Sequence, residues 1–199
     1  VISSRFIAVA LVSLGLGGCI GPKPSAAPAV YDLGSAAASE ASALPARAPL
    51  VLVLSAAPNL NDSGIVWRIG DSSQPRSYAT VRWAAAPAQL ISQRLSERLS
   101  REGPVLGDSP DGDVAQLRIS VTQFEQVFAP DGASSEGRIG MQAVLLARRQ
   151  VLGQVRISQR VSAASQDAEG GVAALRQATG EAADALAQWL ASRMPPARP

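Results

Sequence analysis

Apolar residues recur along this chain with two spacings, every second residue or every third to fourth, and the changes of spacing mark the elements. Leu50-Val51-Leu52-Val53-Leu54 is a continuous apolar run ahead of Pro58 and Asn59, the pattern of a strand buried on both faces. Ile65, Trp67 and Ile69 then alternate with Val66 and Arg68, and Tyr78, Thr80 and Arg82 alternate with Ala79, Val81 and Trp83. The turn formers from Gly70 to Arg76 lie between them, so this stretch predicts a β-hairpin with a longer loop. From Ala86-Pro87 the spacing changes. Ala88, Ile91, Leu95 and Leu99 form one row, with Leu90 at its edge, and Gly103-Pro104 follows. That is an amphipathic helix with proline in its first turn and a stop at its end. Ala115, Leu117, Ile119 and Val121 return to the two-residue period, and the phase shifts to Phe124 and Phe128, which predicts a bulge near Gln123. Asp131-Gly132 marks a turn. Ile139, Met141, Ala143, Leu145 and Ala147 form the next strand, Arg148-Arg149-Gln150 a tight reversal, and Val155, Ile157, Gln159 and Val161 the last strand. Val172, Leu175, Thr179, Ala182, Leu186 and Leu190 make a final helical row with Trp189 beside it.

Ahead of these elements, Ala29 to Leu33 reads as a short strand and the Ala/Ser-rich stretch from Gly34 to Ala48 as a loose loop. The expected fold class is α+β. It is a mostly antiparallel sheet with both amphipathic helices packed on one face. The order strand, hairpin, helix occurs twice, which raises a structural duplication, although no residue-level repeat accompanies it.

The first twenty residues differ from the rest. Phe6 to Leu14 is apolar but for Ser13, with Arg5 in front, and with its flanks the run ends at Leu16. A membrane-spanning helix needs about 20 apolar residues, so this shorter run fits the apolar region of a secretory signal. Leu16-Gly17-Gly18-Cys19 follows at once and resembles the lipobox of bacterial lipoproteins. Leu16, Gly17 and Gly18 would be recognised by the lipoprotein signal peptidase, where small side chains let an extended backbone enter. Cys19 would take a diacylglycerol on its thiol and a further acyl chain on the amine freed by cleavage. Ile20 stands where Asp commonly marks retention at the inner membrane, which favours the outer membrane. The expected organisation is a signal peptide over 1–18, a lipidated Pro/Ala tether over 19–28, a domain over 29–193, and a disordered Pro-rich tail over 194–199.

Composition narrows the function. The 199 residues include no histidine and one cysteine, which excludes Ser-His-Asp and Cys-His machinery, an intrachain disulfide and a thiolate cluster. The formal net charge of +2 gives no strong electrostatic footprint for nucleic acid. No Gly-x-Ser-x-Gly elbow surrounds a serine, and the glycines lack a phosphate-binding spacing. Asp108, Asp111 and Asp113 cluster, but Phe124, Thr122 and Ile119 stand where a calcium loop opened by Asp113, Asp111 or Asp108 would need its closing glutamate. They read as a solvated turn, so no metal or other cofactor is expected. Tyr31, Trp67, Tyr78, Trp83, Phe124, Phe128 and Trp189 are not interleaved with a basic stripe and read as core or interface anchors.

The segment Ile65-Val66-Trp67-Arg68, then Tyr78, then Val81-Arg82-Trp83-Ala84 and Pro87 before a Leu/Arg helix resembles the ABC-type transport auxiliary lipoprotein family, which includes PqiC-like lipoproteins. Tyr31-Asp32-Leu33, Pro58-Asn59-Leu60 and Trp189-Leu190 match further parts of its pattern, and the stretch between the first two strands is longer than usual. The resemblance implies a non-enzymatic accessory subunit. Its partner would be an MCE-domain protein of an ABC transporter that moves phospholipid or other lipids between the inner and outer membranes. The chain would sit at the outer membrane on its lipid anchor, facing the periplasm, with no nucleic-acid partner and with homo-oligomerisation open. The hairpin from Ile65 to Trp83 is dense in Trp, Tyr and Arg, so its loop, with Arg76 and Tyr78, is the expected partner contact. An independent lipid carrier or envelope-assembly lipoprotein is the alternative; it would need a concave apolar surface.

Overall fold

A computed structural model of the chain describes residues 27–34, 43–107 and 114–194. Leu16, Gly17, Gly18 and Cys19 of the lipobox, and the aspartates 108, 111 and 113, lie outside the described residues. Eight strands and two α-helices follow in the order β1 (Ala29–Tyr31), β2 (Leu50–Ala56), β3 (Gly64–Ile69), β4 (Arg76–Trp83), α1 (Pro87–Leu99), β5 (Val105–Leu106), β6 (Ala115–Phe128), β7 (Ser135–Ala147), β8 (Gln150–Ser162) and α2 (Ala168–Arg193). A single 3₁₀ turn, Pro58–Leu60, joins β2 to β3.

All eight strands belong to one sheet, but it is mixed and not mostly antiparallel. β6, β7 and β8 form an antiparallel meander, and β3 with β4 an antiparallel hairpin. β2 runs parallel to both β5 and β6, β3 parallel to β6, and β1 parallel to β4. The parallel pairs that involve β5 and β6 arise because α1 carries the chain back after the hairpin, so β5 and β6 enter in the same direction as β2 and β3. Parallel pairing needs such a crossover. β6 is long enough to serve two neighbours on one edge: β2 lies along Ala115 to Val121, and β3 along Gln126 to Phe128. The two strand–hairpin–helix units therefore share an element order without sharing a pairing scheme.

The switch between these neighbours coincides with the bulge between Val121 and Gln123. Before it, Leu117, Ile119 and Val121 face the helices; after it, Phe124 and Gln126 do, and all five are buried. The opposite face of β6 and β7 presents Arg118, Ser120 and Thr122 to solvent and Gln142 in part. Ile91, Leu95 and Leu99 of α1 join Val172, Leu175, Ala178, Ala182 and Leu186 of α2 in one cluster with the helix-facing sheet residues. Each large aliphatic side chain so buried contributes about 1.5–3 kcal/mol relative to exposure.

The run in β2 is less enclosed than its composition suggests. Leu50, Val51 and Leu52 are buried, but Val53 is 41 % exposed. α2 begins on Asp167, whose carboxylate accepts the Gly170 N–H at 2.9 Å, a side-chain N-cap. α1 has no side-chain cap and starts on Pro87. The reversal between β7 and β8 holds Arg148 and Arg149 at φ +49° and +65°, a mirror-image hairpin turn that Asn and Gly usually occupy. Met194, expected in the tail, donates its N–H to the Leu190 carbonyl and joins the core.

Candidate functional site

The densest group of aromatic and charged side chains lies on the β3–β4 hairpin. Gly64 pairs with Arg82, whereas Val66 pairs with Ser77, so β4 carries extra residues and bulges away from its partner. This irregularity changes the faces read from the alternation. Tyr78 and Trp83 were expected on opposite faces of the strand. The bulge lets both turn toward the helix side, Tyr78 onto Gln126 and Trp83 onto Phe124. Trp83 is 2 % exposed, with its ring 5.5 Å from that of Phe124. It anchors the hairpin to β6.

A groove of about 550 Å³ runs along the bulged stretch, bordered by Asp62, Arg76, Ser77, Tyr78 and Arg82 among others. The loop itself is exposed from Ser73 to Ser77, and Arg76 opens β4 where a loop residue was expected. The Arg76 guanidinium sits 5.3 Å above the Trp67 ring, within range of a cation–π interaction. Trp67 meets Tyr78 at 6.0 Å in a tilted arrangement and Phe128 at 5.6 Å edge-on. Arg76 and Tyr78 thus share one aromatic support.

Tyr78 is the less available of the two. Its hydroxyl donates to Gln126 Oε1 at 2.8 Å. The fully buried Gln126 uses its amide N–H groups on Ser135 Oγ at 2.8 Å and the Asp167 carbonyl at 3.1 Å. The hydroxyl therefore belongs to a chain that links β4, β6, β7 and the start of α2. Burial, followed by the nearby Asp167 charge, pushes the Tyr78 phenol up to about 12. The Gly170 N–H, followed by the Ser165 hydroxyl, holds the Asp167 carboxyl below its ordinary range. Gln126 was not singled out in the sequence. Its signal was its position midway between Phe124 and Phe128, on the row that the bulge turns inward.

On the other face of β3, Arg68 pairs with Glu125 at 2.6 Å and donates to the Ser72 carbonyl at 2.9 Å, which braces the loop from beneath. Among the described residues no group of three acidic or sulfur side chains could hold a metal, and no helix is long and apolar enough to cross a membrane. What the hairpin offers is a braced polar and aromatic surface with a cation at its rim.

The sequence matches the family model described as ABC-type transport auxiliary lipoprotein component over residues 31–187. The chain belongs to this family. Its members are envelope lipoproteins that accompany ABC-type transport. Two crystal structures share the auxiliary lipoprotein's fold. One, of an uncharacterised protein, has a TM-score of 0.66 at 18 % identity and covers 82 % of this chain and 99 % of its own. The other, a Xanthomonas campestris protein, has a TM-score of 0.66 at 20 % identity, covering 84 % of this chain and 94 % of its own. No curated protein matches the auxiliary lipoprotein in sequence.

Proposed function

We propose that this chain is a non-catalytic accessory subunit of an MCE-type ABC lipid transporter, lipid-anchored through Cys19 at the outer membrane and facing the periplasm. Membership of the auxiliary lipoprotein family across 31–187 carries this reading. Signal peptide, tether and lipidation at Cys19 follow from the lipobox, and the outer-membrane address from Ile20. An independent lipid carrier fits less well. The groove on the hairpin sets Asp62, Arg76 and Arg82 among apolar residues such as Val66 and Val81, and charged groups in its wall would be costly to desolvate around an acyl chain.

The partner surface would be the hairpin, with Arg76 at its exposed rim and Tyr78 behind. Interfaces concentrate energy in a few aromatic and arginine anchors, each costing more than about 1 kcal/mol when removed. The test is binding of the full chain, in detergent micelles, to the purified MCE protein. Arg76→Glu should weaken it at least about fivefold. Tyr78→Ala should also weaken it, and Tyr78→Phe separates the ring from the hydroxyl. Unchanged affinity in folded variants would remove the hairpin from the interface. Failure of the intact chain to bind would remove the transporter reading.

A further inference from the structure

The sheet has one long open margin. β8 runs for 13 residues and pairs, among the described residues, with β7 alone. The other outer strands, β1 and β5, have 3 and 2 residues. From Gly153 to Ser162 the β7–β8 register is unbroken, and this stretch contains no proline and no lysine. α2 covers one face of β8 without covering its rim. A Cβ on Gly153 would lie 3.3 Å from the Trp189 ring, and Ile157 is buried, yet Val155 and Val161 on the same row remain half-buried. The opposite row is Gln154, Arg156, Ser158 and Arg160, all exposed. Across on β7 these arginines meet no acid: Arg156 faces Gln142, and Arg160 faces Arg138, which is itself paired with Glu136.

We infer that the β8 edge is a docking site for an extended segment of a partner protein with alternating acidic and apolar residues. Such a segment would add a strand through main-chain hydrogen bonds. Two acids four residues apart would meet Arg156 and Arg160. The residues on either side of the acids, turned to the other face, would cover Val155 and Val161 and reach toward the flank of Trp189 beside Gly153. Open strand edges invite pairing unless blunted, and the two arginines blunt this one selectively. Self-pairing centred on Arg156, Ser158 or Arg160 sets arginine against arginine, and like charges directly opposite are destabilising. Head-to-tail pairing with a second copy would meet only short edges: β1, β5, or the five residues of β4 and of β2 that these leave uncovered. An acidic strand meets neither obstacle. The edge lies at the far margin of the sheet from Arg76, so it is tested independently of the hairpin.

The experiment uses the full chain in detergent micelles and a fluorescent peptide with glutamates four residues apart and valine at the alternate positions. Its anisotropy should rise saturably, and hydrogen exchange should slow over residues 150–162. A peptide with lysine in place of glutamate should bind about tenfold more weakly, given two reversed cross-strand charge pairs. Arg156→Glu with Arg160→Glu, both at exposed positions, should invert that preference. Equal binding of the two peptides to the unmodified chain would overturn the inference without recourse to any variant. So would protection elsewhere, absence of binding, or self-association that slows exchange over the same residues.

Discussion

Gly137 and Tyr78 show how single atoms decide the geometry of this molecule. A Cβ added at Gly137 would lie 2.6 Å from the Leu175 nitrogen and 2.7 Å from the Ala174 carbonyl carbon. Backbone cannot swing aside as a side-chain tip can, so α2 rests on β7 only because that position has no side chain. Gly137→Ala should force the helix outward and lower stability by about 1–3 kcal/mol, the usual cost of overpacking, read from the midpoint of urea unfolding. Gly171 makes a similar allowance for Gln126, whose Oε1 lies 2.0 Å from where a Cβ would be. Tyr78 gives a prediction in pH. Its phenol ionises near 12 in the folded chain against an ordinary value of 10.0. Folding therefore favours the protonated form. Its contribution to stability is complete below pH 10 and is lost as pH rises toward 12, because the unfolded chain releases the proton first. Absorbance titration of tyrosinate should show a transition near 12 that disappears in Tyr78→Phe. A transition at the ordinary phenol value that disappears in Tyr78→Phe would mean that Tyr78 is not held in its buried setting.

The elements are held together at their ends as much as along their faces, and α1 is the clearest case. Arg47 is 6 % exposed and donates to the carbonyl of Leu99, the last residue of α1, at 2.6 Å and to the Gly103 carbonyl beyond it at 3.1 Å, adding to the long 3.4 Å bond that Leu99 accepts from the Glu102 N–H. Burial, more than the nearby Glu102 carboxylate can offset, lowers the Arg47 pKa. Arg98 then joins Glu102 at 2.5 Å and also Asp184 on α2, so the end of one helix is tied to the middle of the other. Arg47→Met keeps the aliphatic bulk and removes the donors. It should cost about 1.5–3 kcal/mol, the range for hydrogen bonds to a charged group, with faster amide exchange at the end of α1. Exchange unchanged there would show that the cap is dispensable. Nothing in the sequence marked Arg47, which lies in an Ala/Ser-rich stretch read as a loose loop; only the approach of Gly103 in space gives it a role. The hairpin, the Ile91-Leu95-Leu99 row, the bulge after Val121 and the α2 row were legible because each is a local period. The parallel pairing of β2 with β6 was not, because it joins residues more than sixty apart and leaves no local trace. The candidate site was half legible. Its composition pointed to Arg76 and Tyr78, but the bulge in β4 and the Gln126 chain beneath Tyr78 arise from pairing across strands.

At the scale of the whole molecule, one question governs the rest: what holds this domain at a membrane. Among the described residues no helix can span one, and α2 buries its apolar face against the sheet. Under the proposed reading, attachment falls to the N-terminal segment, and there to Cys19, the single cysteine. A burial energy of about 0.8 kcal/mol per CH₂ makes one acyl chain a marginal anchor and two or more a stable one. Residues 20–28, rich in proline and alanine, then set the reach. At up to about 3.3–3.6 Å per residue, nine residues extend to roughly 30 Å, about two thirds of the roughly 46 Å that the fourteen-residue β6 spans. The domain would accordingly stay within one domain length of its membrane, a constraint on any partner that docks at the hairpin or the β8 edge. Cys19→Ser removes the only thiol. In cells fed an alkyne fatty acid, the native chain should carry the label and run at its processed size, whereas the variant should carry none and retain the apolar segment before residue 19 as an unprocessed precursor. Label on the variant would place the anchor elsewhere in the chain and release the domain from that distance constraint.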